Sequence, residues 1–147
     1  MRRRWFAVGA VALLAAASLP FILRDKLVEP VVPDGAVRAQ LTVDGSFRRN
    51  WPVNSVIDKD VSEVVSELNS LSSTKRGDGC FAAMRPGYRM RFEYPDGSDH
   101  TVVFDLNCGS IRRDDVARYG DVTKALDAFA ENFRAQGGTA PEPPWDW

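Results

Sequence analysis

The stretch that most constrains the fold is residues 88–108, YRMRFEYPDGSDHTVVFDLNC. Tyr88, Met90, Phe92 and Tyr94 alternate with Arg89, Arg91 and Glu93. Further on, Val102, Phe104 and Leu106 alternate with Thr101, Val103 and Asp105. A period of two marks strands with one apolar face. Between them lie Pro95, Asp96, Gly97, Ser98 and Asp99, residues that fix φ or tolerate positive φ. The pattern predicts an antiparallel hairpin. Directly opposed residues share a face. Pairing Phe92 with Val102, Met90 with Phe104 and Tyr88 with Leu106 therefore gathers the large apolar side chains on one side. That register leaves a five-residue loop, 95–99. It sets Arg89 against Asp105, Arg91 against Val103 and Glu93 against Thr101.

The hairpin also carries Cys108, one of only 2 cysteines; the other is Cys80. Whether they are bonded depends on the compartment, and the N-terminus bears on that. Arg2-Arg3-Arg4 precedes an uncharged, largely apolar run from Trp5 to Leu23, closed by Arg24-Asp25-Lys26. About 20 such residues span a bilayer core, and arginines ahead of the run favour a cytoplasmic N-terminus. Residues 1–23 are thus expected to be a transmembrane anchor, with the membrane as a partner through residues 5–23. The alternative is a signal peptide cleaved near Ala17, after the small residues Ala15-Ala16-Ala17. Either way the remainder is expected outside the cytoplasm, where two cysteines imply a Cys80–Cys108 disulfide.

Arg2, Arg3 and Arg4 contribute to a total of 19 Lys and Arg against 20 Asp and Glu, so the rest of the chain is acidic. That balance argues against nucleic acid as a partner. Arginine far outnumbers lysine, which, with abundant Ala, Val and Gly, points to a bacterial chain.

Residues 24–36, with Pro30, Pro33 and Gly35, are expected to form an extended linker. A first strand follows, Val37, Ala39, Leu41 and Val43 alternating with polar residues. Residues 46–55 have no clear period, and Phe47 and Trp51 are expected to pack over an edge of the core. Val61, Val64, Val65, Leu68 and Leu71 form one helical stripe, with Asp58 or Asp60 as cap and Glu63 as capping-box partner. Cys80-Phe81-Ala82-Ala83-Met84 is a candidate short strand. Ile111, flanked by Arg112-Arg113-Asp114-Asp115, is expected in a loop or short edge strand. A second helix begins at Asp121, lines one face with Val122, Ala125, Leu126, Phe129, Ala130 and Phe133, and ends at Gly137-Gly138.

The resulting order, β-α-β-β-β-α, predicts an α+β two-layer domain over residues 37–137, mainly antiparallel, with both helices on one sheet face. Residues 138–147 are a Pro/Trp-rich tail favouring polyproline II. Its tryptophans either dock on the domain or serve a partner.

The chemistry-bearing residues are few. His100, the 1 histidine, beside Asp99 and near Ser98, lies at the hairpin tip, a poor place for a catalytic triad. Asp96, Ser98 and Asp99 offer oxygen ligands but not the spacing of a calcium loop. Asp114, Asp115 and Asp121 are further carboxylates. No phosphate loop, nucleophile elbow or zinc-protease motif is present, and no cofactor is expected. Arg89 and Arg91, beside Arg112 and Arg113, are expected on the open sheet face as a partner-binding patch, with Trp145 and Trp147 as a second candidate contact. The sequence therefore favours a noncatalytic cell-envelope domain that binds a protein or envelope partner. Alternatives are a small-ligand-binding or enzymatic domain with a pocket between sheet and helices, and a phage-encoded or inhibitory envelope protein.

Overall fold

The computed structural model describes residues 28–44, 51–75, 77, 80 and 83–145. These form one six-stranded antiparallel sheet and two helices. The strands are β1 (Arg38–Val43), β2 (Ser55–Ile57), β3 (Tyr88–Glu93), β4 (Asp99–Asp105), β5 (Ser110–Arg113) and β6 (Val116–Tyr119). The helices are α1 (Val61–Ser70) and α2 (Thr123–Ala135). Spatial order across the sheet is β2-β1-β3-β4-β5-β6. The N-terminal apolar run, residues 5–23, lies outside the described residues. Among the described residues no helix is long and apolar enough to cross a membrane.

Alternation decides which side of the sheet becomes core. Ala39, Leu41, Val43, Tyr88, Met90, Phe92, Val102, Phe104 and Ile111 all point inward and are buried. They meet Val61, Val64, Val65 and Leu68 of α1 and Ala125, Leu126, Phe129, Ala130 and Phe133 of α2. Both apolar stripes thus cover one face, as the helical spacing predicts. Burying side chains of this size stabilises by about 1.5–3 kcal/mol each.

The hairpin forms, but in another register. Met90 faces Val102, Tyr88 faces Phe104, Phe92 faces His100 and Glu93 faces Asp99. The expected partners Phe92–Val102 and Met90–Phe104 are displaced by two residues, and the loop 95–99 does not exist. Turn chemistry decides this. The Tyr94 N–H donates to the Ser98 carbonyl and the Gly97 N–H to the Tyr94 carbonyl, both at 3.0 Å, leaving Pro95, Asp96 and Gly97 as the loop. Gly97 takes φ 83°, which closes a three-residue hairpin loop. A two-residue shift preserves the side-chain parity, so every inward residue stays inward.

Other expectations are corrected. Asp60 precedes α1 in a left-handed conformation, φ 52°, and its side chain makes no capping bond; nor does the expected capping box form. Its carbonyl instead takes the Glu63 N–H and the Asn132 side-chain amide, tying α1 to α2. Asp121 does receive the Thr123 N–H, at 3.2 Å, at the start of α2. Cys80, Ala83 and Met84 belong to no strand, while Phe81 and Ala82 lie outside the described residues, as does Phe47. In place of that strand the sheet gains β2, β5 and β6. Ile111 is not in a loop but in an internal strand, turned into β6 at Asp114, φ 51°.

The two chain ends are corrected most. Val28, Glu29 and Pro30 are exposed, but from Val31 the expected linker packs onto the domain. Val31 and Val32 are buried, and the Asn69 side chain clamps Val32 through its N–H (3.1 Å) and its carbonyl (2.7 Å). The Tyr94 hydroxyl donates to the Pro33 carbonyl at 2.9 Å. At the other end Trp145 is buried beside Trp51, the docked alternative for the tail, so among the described residues core packing reaches Val31 and Trp145, beyond the expected 37–137.

Cys80 and Cys108 are disulfide-bonded, with 28 residues of separation. The bond joins the segment ahead of β3 to the turn between β4 and β5. The Arg85 guanidinium donates to the Leu106 carbonyl (3.1 Å) and the Asn107 amide to the Ala83 carbonyl (3.1 Å), reinforcing that junction.

Candidate functional site

The sheet face opposite the helices is the candidate site. Antiparallel pairing lines up Thr42, Arg89, Val103, Arg112 and Ala117 in one row across β1, β3, β4, β5 and β6. A neighbouring row holds Val56, Gln40, Arg91 and Thr101. Beyond it lie Arg38, Glu93 and Asp99. Arg89, Arg91 and Arg112 are exposed, and Val103, at 45 % exposure, is one of the few large apolar residues left in water.

The charges on this face divide by position. Near the hairpin tip they are neutralised. The Arg91 guanidinium donates to Asp99 at 2.6 Å and lies 3.7 Å from Glu93, which also pairs with Arg38 at 3.4 Å. The bond to Asp99, and then the attraction of its charge, raise the Arg91 pKa above its ordinary value. In the central row the charges are not neutralised. The nearest carboxylate along β4, Asp105, is engaged by the Asn107 and Cys108 N–H groups at 3.0 and 3.1 Å. Arg89 and Arg112 have no ion-pair partner among the described residues. Two strand spacings separate them, roughly 10 Å, with Val103 between. The row therefore offers two guanidinium donors flanking an apolar patch, suited to a surface bearing carboxylates or other anions.

The remaining expected site residues are placed elsewhere. Arg113 is on the opposite face, not beside Arg112, because β5 alternates. It is 7 % exposed, and its Nη2 donates to the Glu29 carboxylate. Arg118, also inward-facing and buried, donates to the Glu29 backbone carbonyl and, at 2.9 Å, to the Ala117 carbonyl. Together they hold the N-terminal segment against the end of the sheet. Trp145 is buried, and Trp147 lies outside the described residues.

The candidate catalytic and metal groups are engaged in local structure. His100 packs edge-on against Tyr94, ring centroids 5.4 Å apart. Ser98 donates its hydroxyl to Asp96 at 2.6 Å, and Asp99 is taken by Arg91, so no Ser-His-Asp relay is assembled. The Ser98 hydroxyl, then its N–H, hold the Asp96 carboxyl below the usual carboxylate range. Burial pushes the Tyr94 phenol up, against the opposing pull of Arg113. Among the described residues no group of three His, Cys, Asp or Glu side chains could hold a metal ion.

Between sheet and helices the space is filled by Phe92, Phe129, Leu41, Ile57, Leu68 and Met90, all fully buried. Two open clefts lie at the periphery: one of about 430 Å³ at the disulfide end, lined by Arg85, Leu106, Asp121, Asp127 and Trp145 among others, and one of about 560 Å³ between residues 34–36 and the outer side of α1 at Ser62, Ser66 and Asn69.

Sequence reasoning missed the contributions of Glu29, Arg118, Tyr88 and Asp127. Arg118 depends on the β5–β6 register, which no periodicity announces. The roles of Tyr88 and Asp127 at Trp145 depend on where the tail lands, which only the presence of a tryptophan hints at. No protein-family model, no curated protein and no solved structure matches this chain.

Proposed function

We propose that this protein is a noncatalytic cell-envelope domain, carried across or into the membrane by its N-terminal apolar segment, that binds an anionic partner through its open sheet face. The observation that supports this most is the central row, where Arg89 and Arg112 stand unneutralised on either side of exposed Val103. Unpaired exposed guanidinium groups cost little, and two of them flanking an apolar side chain present donors and contact area that an anionic surface can use. The neighbouring Arg38 and Arg91, on the same face, are paired with Glu93 and Asp99. The filled space between sheet and helices speaks against the reading in which a ligand enters there. The disulfide is in keeping with an oxidising compartment.

The test has two parts. For location, the full chain is expressed in a bacterium and intact cells are treated with external protease. The proposal expects the domain to be cleaved; full protection in a cytoplasmic fraction overturns it. For binding, the full chain in neutral detergent micelles is titrated with poly-L-glutamate while backbone amides are followed by NMR. The expected result is saturable shifts confined to β3, β4 and β5, weakened by added salt. Shifts at the hairpin tip alone, or none, would sink the assignment.

A further inference from the structure

The C-terminal tail occupies a groove that holds it as a peptide ligand is held. The Trp145 indole packs against Trp51 with ring centroids 5.5 Å apart and the planes tilted by 32°, and Trp51 in turn meets Phe129 at 6.1 Å. The indole N–H donates to Asp127 at 2.8 Å, and the Tyr88 hydroxyl donates to the Trp145 backbone carbonyl at 2.8 Å. One residue is thus fixed by its rings, its indole N–H and its backbone carbonyl. Upstream, Arg134 donates to the Pro141 carbonyl and pairs with Glu142 at 3.2 Å. The tail is in no strand, and its three prolines have no N–H to give one. Thr139, Glu142, Pro143 and Pro144 are exposed. Among the described residues the segment is held chiefly by one buried tryptophan and one arginine, with Ala140 packed against the core and the Gly138 N–H donating to the Phe133 carbonyl at 2.8 Å. Such a segment opens locally at a fraction of the cost of global unfolding. The Trp51 indole N–H, buried, has no hydrogen-bond partner among the described residues, so this aromatic cluster keeps one donor that the described part of the tail does not use.

We propose that the Trp51–Tyr88–Asp127–Phe129 groove is a peptide-binding site, filled in cis by the chain's own tail, and that its trans occupant is the tail of a second copy. The chemistry of the occupant is fixed by the resident one: a tryptophan behind a run of prolines. Exchange of an identical segment is a low-cost route to a dimer, since the same contacts are remade. From Gly138 to Trp145 an extended chain reaches up to about 24 Å, enough to cross to a neighbour lying alongside. The cis tail competes at an effective concentration on the order of millimolar or above. Exchange thus belongs to crowded copies, and dilute chains stay closed. This inference is independent of the open sheet face.

The experiment uses the full chain in neutral detergent micelles and a fluorescent peptide of residues 137–147 as the second copy's tail. The chain with Trp145→Ala, its groove emptied, is expected to bind the peptide saturably. The unaltered chain should bind roughly a hundredfold more weakly, because its groove is already filled. Adding Asp127→Ala to Trp145→Ala should remove most of the binding. Equal binding to both chains, or none to a folded Trp145→Ala chain, overturns the site. If Trp145→Ala does not fold, a chain with a protease site between 138 and 139 is cut while folded. A peptide that stays bound or rebinds upholds the site, and one that leaves for good overturns it. A second arm co-expresses Trp145→Ala with a differently tagged unaltered chain. Mixed dimers that vanish when residues 139–147 are removed from the unaltered partner identify the second copy as occupant. Peptide binding without mixed dimers overturns that assignment.

Discussion

Four arginines on three strands, β3, β5 and β6, meet opposite fates on the two faces of one sheet. Arg113 and Arg118 point toward the helices, are 7 % and 6 % exposed, and are met by Glu29 from the N-terminal segment. Arg89 and Arg112 point the other way and meet no carboxylate among the described residues. A buried guanidinium without a partner is costly, so the inner pair had to be answered within the chain. An exposed one is tolerated at almost no cost, so the outer pair can be left for something else. The inner face spends its polar groups on cohesion: the Asn69 clamp on Val32, the Tyr94 bond to Pro33, the Tyr88 and Asp127 bonds to Trp145. The outer face spends few.

The contrast is broken most forcefully from the inside. Phe92 is fully buried on the inner face, and Phe92→Ala is expected to cost about 3–5 kcal/mol in chemical denaturation. A cost below about 1 kcal/mol would mean that the inner face is not the cohesive one. Next, replacing Cys80 and Cys108 together by alanine removes a link spanning 28 residues. The expected loss is about 3–4 kcal/mol in the chain-entropy model, read by the same denaturation curves. Glu29→Ala leaves buried Arg113 with only the more distant Asp114 carboxylate, at 3.9 Å, and should cost about 1–3 kcal/mol, although Glu29 itself is largely exposed. If this change is neutral, the N-terminal segment is not held by its arginines.

The smallest effect is at the hairpin tip. Asp96 is fully exposed and its pKa is lowered, first by the Ser98 hydroxyl. A lowered folded-state pKa contributes stability above the unfolded value, near 3.9, that is lost as pH falls through the folded value. Ser98→Ala should return the Asp96 midpoint toward the ordinary carboxylate range, measured by NMR titration, with little change in the melting temperature. An unmoved midpoint would show that Ser98 is not the cause.

The sequence allowed the faces of the sheet to be read, but not its extent. Parity placed Met90, Phe92, Val102 and Phe104 inward, and both helical stripes were visible from spacing alone. Register was not, because a shift by two keeps parity; Pro95-Asp96-Gly97 set it through the turn. β2, β5 and β6 are three or four residues long, too short for a period to declare itself. Missing β5 and β6 put Arg113 on the wrong face and hid Arg118 altogether. The candidate site was legible as Arg89, Arg91 and Arg112. The division between neutralised Arg91 and free Arg89 and Arg112 was not, since it depends on Glu93 and Asp99 standing opposite one another. Val31 and Val32 show the limit most plainly: residues 24–36 read as an extended linker, and only long-range contacts reveal that these two are packed. For Trp145, docking on the domain was one of the expected alternatives, and the contacts with Trp51 and Asp127 decide for it.

The most direct test is the double change Arg89→Glu with Arg112→Glu in the full chain, with stability and poly-L-glutamate binding measured on the same sample. The account predicts a melting curve within about 0.5 kcal/mol of the parent, as for surface changes away from structural partners, together with loss of saturable binding. Binding as strong as the parent's, in a chain that is equally stable, would contradict the assignment of the open face as the working surface.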